Sequence, residues 1–144
     1  MPTKDFERVL RFIERHDQNG NSIFFPVIAI TLTTPQGNQI GLSLLFDTGA
    51  SVTTLRSDLY PMLGLQSWDQ GERVDTDTAS GRVNAYKYRA TLEIFGKLID
   101  CPIHLIQMPP NPLFHGLLGR DTIFNEFGFG FWESTHELYI TTNP

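Results

Sequence analysis

Hydrophobic and polar positions along the 144-residue chain change period once, near residue 22. Phe6, Val9, Leu10 and Ile13 fall at i, i+3, i+4 and i+7, the stripe of an amphipathic helix over 4–17. The turn formers Asp17-Gln18-Asn19-Gly20-Asn21 end it. From there the pattern is that of strands. Ile23 to Thr33 is β-branched and aromatic, with Pro26 demoting part of it to an edge. Thr34-Pro35-Gln36-Gly37-Asn38 is a turn, and Ile40, Leu42 and Leu44 alternate on the way back to Phe46, so this pair predicts a hairpin with one buried face. Ser57 to Leu63 predicts one helical turn. A longer and more polar hairpin follows, Glu72 to Ala79 and Arg82 to Ile94, turning around Ala79-Ser80-Gly81. Leu98 to Ile106 is the next strand, and Met108-Pro109-Pro110-Asn111-Pro112 forces an extended linker. Leu113 to Gly119, a short helix from Asp121 to Phe127 and a closing hairpin around Ser134-Thr135 complete the chain. The pattern predicts an all-β domain over 23–144, a small closed or nearly closed β-barrel, preceded by an N-terminal helical extension over 1–22.

Composition removes several function classes. Hydrophobic residues make up 40% and charged residues 19%, the balance of a folded globular chain. With 11 basic and 16 acidic residues the net charge is −5, which offers no basic footprint for nucleic acid or an anionic membrane. No apolar run reaches the ~18 residues of a membrane span. Lys4, Asp5, Glu7, Arg8 and Arg11 leave no room for a signal-peptide core. A lone Cys101 forms no internal disulfide and no thiolate metal cluster, so a reducing, cytoplasmic home is expected. His16, His104, His115 and His136 show no metal-ligand spacing and accompany no nucleophile elbow. His104 and Cys101 both fall in a strand, and are read as a satisfied, half-buried imidazole and a small hydrophobe. Trp68 and Trp132 are read as packing residues.

The chemistry-bearing stretch is Leu44-Leu45-Phe46-Asp47-Thr48-Gly49-Ala50-Ser51, in which an apolar strand delivers a carboxylate into a turn that Gly49 can make sharply. Taken alone, Asp-Thr-Gly also suits an Asx-type turn at a strand end. Downstream, Leu117-Leu118-Gly119-Arg120-Asp121 places two apolar residues and a glycine before the short helix, with the polar hairpin between the two motifs.

This order of motifs resembles the retropepsins, the single-domain aspartic proteases of retroviral type, over about 39–132. The resemblance implies a small β-barrel that works as a homodimer and cleaves peptide or protein substrates without a cofactor or metal. Asp47, Thr48 and Gly49 match the catalytic motif; Leu117, Leu118, Gly119 and Arg120 match the segment packed behind it. Substrate contacts would come from Ala50 and Ser51 and from a flap over Thr78, Ala79, Ser80 and Gly81. Asp47 of each subunit would hold the attacking water and exchange base and acid roles, because two like charges at one site share a proton. Asp77-Thr78-Ala79-Ser80-Gly81 lacks a glycine after its threonine, so the second carboxylate must come from a second copy of the chain. A catalytically silent dimer that binds an extended peptide is the alternative.

Departures from the family pattern carry further expectations. Retroviral enzymes often carry an acidic residue at the Ser51 position; without it, Arg120 would pair with Asp58 or with the other subunit. Gly81 is the single glycine of the flap tip, which predicts a stiffer flap. Ala50 has no hydroxyl to favour a charged carboxylate, which predicts a mildly acidic optimum. Glu133-Ser134-Thr135-His136 predicts a local turn where retroviral termini interleave between subunits. Val52, Leu55, Val74, Ala79, Ile106 and Leu113 are the expected cleft walls.

Overall fold

Alternation is what the first long hairpin is made of. Ile28, Ile30 and Leu32 on one strand, and Leu42, Leu44 and Phe46 on the next, are buried, while their sequence neighbours lie nearer the surface. In the computed structural model, which describes residues 6–78 and 81–143, the strands are β1 (Arg8–Arg11), β2 (Ile13–His16), β3 (Ser22–Phe25), β4 (Val27–Thr33), β5 (Gln39–Phe46) and β6 (Thr53–Arg56), followed by β7 (Glu72–Thr78), β8 (Gly81–Ile94), β9 (Lys97–Ile106), β10 (Gly116–Leu118), β11 (Phe127–Trp132) and β12 (Glu137–Thr142). A single turn of helix, α1 (Ile123–Glu126), precedes β11, and short 3-10 turns occupy Ser57–Leu59 and Glu133–Thr135.

Seven strands form the main sheet in the order β4-β5-β10-β6-β9-β8-β7. Thr31–Thr33 of β4 also pairs with Thr91–Glu93 of β8, which brings the sheet round into a nearly closed ring and leaves β7 outside, attached to β8. The expected barrel is thus a near-closed ring. Inward residues from all sides fill it, among them Leu32, Leu44, Leu55, Leu92, Ile103, Leu105 and Leu118. Cys101 belongs to this core; burial, ahead of the nearby Asp100, pushes its thiol up to about 12. β10 joins the two halves of the ring, parallel to β5 on one side and antiparallel to β6 on the other.

The N-terminal segment corrects the sequence reading. Residues 8–16 are not helical: β1 pairs with β12, placing Leu10 opposite Leu138, and β2 pairs with β3. Phe12, between them, is buried, with its ring 5.2 Å from that of Phe131. Two four-residue strands broken at one residue reproduce a helical i, i+3, i+4, i+7 spacing by accident. The true period is two, Leu10 and Phe12 inward, and long-range pairing decides it. The C-terminal helix is shorter than expected, one turn instead of Asp121 to Phe127. The local closing turn is as expected, since β11 and β12 pair with each other around Glu133–Thr135.

Glu7 ties the ends of the chain together. Its carboxylate accepts hydrogen bonds from the Thr142 N–H (3.1 Å), the Thr142 hydroxyl (3.1 Å) and the Thr141 hydroxyl (3.2 Å). These bonds, the Thr142 backbone first, hold the carboxyl below its ordinary value. A depressed carboxylate contributes stability that is present above its unfolded pKa and lost as pH falls through the folded one. The amide proton of Thr142 should therefore titrate with a midpoint below that of an ordinary glutamate, and the titration should vanish in Glu7→Gln. An unchanged titration in that variant would assign it to another group.

Candidate active site

β5 ends in Phe46, whose N–H donates to Pro26 O at 2.8 Å, so the strand is held up to the residue before Asp47. Its ring stacks on Phe124 of α1 at 5.4 Å and lies 4.8 Å from Phe129 of β11, which anchors the loop stem from below. The Asp47 N–H donates to Leu118 O at 3.2 Å. The turn then closes on the aspartate itself: the Gly49 N–H donates to Asp47 Oδ1 at 2.9 Å and the Ala50 N–H to Asp47 O at 3.2 Å. This is the Asx-type geometry that the sequence allows. It engages one carboxylate oxygen; Oδ2 has no partner among the described residues, and Asp47 is half-buried.

The Leu-Leu-Gly segment holds the loop from behind. Arg120 N–H donates to Ala50 O at 2.9 Å and Asp121 N–H to Ser51 O at 2.8 Å. Between them and the sheet, the Gly119 N–H donates to Thr53 Oγ1 at 3.1 Å, in a fully buried position. A Cβ on Gly119 would run into the Val52 backbone, and one on Gly116 into that of Thr54, so both positions need glycine for close approach and not for a special φ. Loop 47–52 and turn 118–121 therefore form one rigid unit.

In front of it lies a cleft of about 460 Å³. Asp47, Gly49, Ala50, Ser51, Val52 and Thr54 form one wall, Ile106 and Leu117 lie beside them, and Thr76, Asp77 and Thr78 of β7 face across. The structure thus brings together Asp47, Gly49, Ala50, Ser51, Thr78 and Leu117 of the residues singled out from the sequence. Thr48 is exposed on the loop and Gly81 is exposed where β8 begins; neither lines this cleft. Leu118 and Gly119 are buried behind it. Ala79 and Ser80 lie outside the described residues. Of the other expected walls, Val52 and Ile106 line the cleft, Leu55 is core, and Val74 and Leu113 stand apart from it.

Two expectations are corrected here. Asp58 is not the partner of Arg120, because it pairs with Arg56 at 3.1 Å; Arg120 is exposed and meets the loop through its backbone. His104, expected to be satisfied, has a buried Nδ1 with no hydrogen-bond partner among the described residues. Burial first, and Lys87 next, lower its pKa, while Asp121 opposes them. Sequence reasoning missed Thr53 altogether. A buried threonine at the start of a strand after a turn motif is the available signal.

Thr53→Val should cost about 1–3 kcal/mol, because it leaves the Gly119 N–H buried without an acceptor. Urea unfolding measures this, and Thr53→Ser, which keeps the hydroxyl, should recover most of it.

The fold and site can now be set beside known proteins. A family model described as aspartyl protease matches residues 33–122, more than half of the chain. A search of curated proteins finds no match. Among solved structures, the EIAV protease complexed with the inhibitor HBY-793 is similar in fold, with a TM-score of 0.51 at 21% identity, covering 67% of this chain and 82% of that one. The family match spans the Asp47 loop, the β7–β8 hairpin and the turn that pins the loop, and the chain belongs to the aspartyl protease family.

Proposed function

We propose that the chain is an aspartic endopeptidase, active as a homodimer, in which Asp47 of each copy activates one water for attack on a peptide bond. The observation that carries this reading is the Asp47 carboxylate at a cleft wall, held by its own turn through Oδ1, with Oδ2 unpartnered among the described residues. A carboxylate so placed can accept a proton from water and return one to the leaving amine, provided that a second carboxylate shares the charge. One chain supplies one such loop, so the partner is a second copy placed across a two-fold axis. Thr48, exposed beside Asp47, would meet its counterpart across the two-fold axis, and Gly49 would offer backbone to the substrate.

β7 supports an extended substrate. It lies at the outer edge of the main sheet, with the cleft between it and loop 47–52. A peptide in that cleft would lie against backbone on either side, with Thr76 and Thr78 supplying hydroxyls. Residues 23–144 are the protease domain in this reading, and the preceding strands cover sheet edges. The chemistry needs neither metal nor organic cofactor, since the two carboxylates supply both base and acid.

Cleavage of a diverse peptide library between pH 4 and 7, with oligomeric state recorded, tests the proposal. The wild type should be dimeric and cut best at mildly acidic pH; Asp47→Asn should remain dimeric and lose at least about a hundredfold in rate. A folded dimer that cuts nothing would refute the enzyme and favour a silent peptide-binding module. Equal cutting by Asp47→Asn would move the chemistry to another residue.

A further inference from the structure

A second cavity, of about 420 Å³, lies at the end of β6 and β10 away from the Asp47 loop, lined by Arg56, Pro110, Asn111, Pro112, Phe114 and His115. Its polar residues are each half committed. His115 is fixed to β5 twice: its N–H donates to Ser43 O at 2.7 Å, and the Ser43 N–H donates to its Nδ1 at 3.0 Å. A ring nitrogen that accepts a hydrogen bond carries no proton, so the neutral imidazole holds its proton on Nε2. Arg56, with a side chain only 13% exposed, donates from Nε to Asp58 at 3.1 Å and from Nη1 to Asn111 O at 3.2 Å. Asn111 Oδ1 accepts from the Leu113 N–H at 2.8 Å.

What remains is three donor nitrogens, Arg56 Nη2, Asn111 Nδ2 and His115 Nε2, with no partner among the described residues. Among the described residues the one buried side-chain polar atom without a partner is His104 Nδ1, so these three nitrogens are not sealed from solvent. Pro110, Pro112 and Phe114 supply an apolar wall beside them. Side-chain N–H donors next to an apolar surface suit an acceptor-rich group on an apolar body.

We propose that this cavity binds a carboxylate that carries an apolar or aromatic group beside it, as at the C-terminus of a peptide or on an acidic side chain flanked by apolar residues. Charge sets the size of the anion. Asp58 already offsets Arg56 and His115 is neutral, so the site has no net charge to spare and a phosphate dianion is repelled more strongly than a monoanion held by the same donors. The guanidinium and imidazole N–H groups hold the carboxylate oxygens, while the aromatic body packs on Phe114 and the prolines. The site shares no lining residue with the Asp47 cleft and stands independently of the protease reading.

Calorimetric titration of the full chain at pH 7 with four probes tests this: N-acetylphenylalanine, its neutral amide, N-acetylglutamate α-amide and inorganic phosphate. At least one of the two carboxylates should bind about tenfold or more tightly than the neutral amide, and the tighter of the two names the source of the group. Asp58→Asn, at an exposed side chain, should tighten carboxylate binding several-fold, and Arg56→Gln should abolish the preference for acid over amide. Equal binding of acid and amide, tighter binding of phosphate, or no gain in Asp58→Asn would overturn the proposal. The last variant guards against an Arg56→Gln chain that fails to fold.

Discussion

The structure depends on three residues of strand threaded between two others. β10 fits between β5 and β6 because Gly116 and Gly119 present no side chain to the backbones of Thr54 and Val52. That close approach lets the Gly119 N–H reach the Thr53 hydroxyl, and the Asp47, Arg120 and Asp121 amides exchange bonds across the same seam. A buried amide without an acceptor is costly, so the loop has one arrangement. Everything that the site needs follows: a carboxylate fixed at a strand end, one oxygen held by its turn, and a cleft wall of loop backbone.

The terminal sheet bears on the same loop from below. Phe46 packs on Phe124, Phe129 and Phe131, and Phe131 packs in turn on Phe12 between β1 and β2. The aromatic contacts connect the chain's first strands to the residue preceding Asp47. β12 has β1 on one side and β11 on the other, so neither of its edges is free for a strand from a second copy. In the dimeric reading, an intersubunit sheet would therefore not be built on β12. The family's Asp-Thr-Gly motif and a locally built terminal sheet coexist in one chain.

How much was legible in the sequence follows from how local each signal is. Asp47, Gly49, Leu118 and Gly119 could be read because short motifs encode turns and close approaches directly. The β4–β5 and β7–β8 hairpins could be read because alternation and turn residues are local. The segment over 8–16 was misread because its partners, β12 and β3, lie elsewhere in sequence or across a turn, and a helical period fits the same few residues. His104 illustrates a different limit: strand membership indicates burial but not whether a partner faces the ring. Arg56, Thr53 and His115 left no motif at all. Their roles arise from bonds to Asp58, Gly119 and Ser43, two of them spanning more than sixty residues.

The most direct test of the central claim, one site built from two copies of Asp47, is a mixing titration. Wild-type chain is combined with increasing Asp47→Asn chain at fixed total concentration, allowed to exchange, and assayed for peptide cleavage. If two aspartates make one site, activity falls as the square of the wild-type fraction, because a mixed dimer lacks one carboxylate. Activity falling in direct proportion to the wild-type fraction would show that each chain carries its own complete site, and would contradict the account.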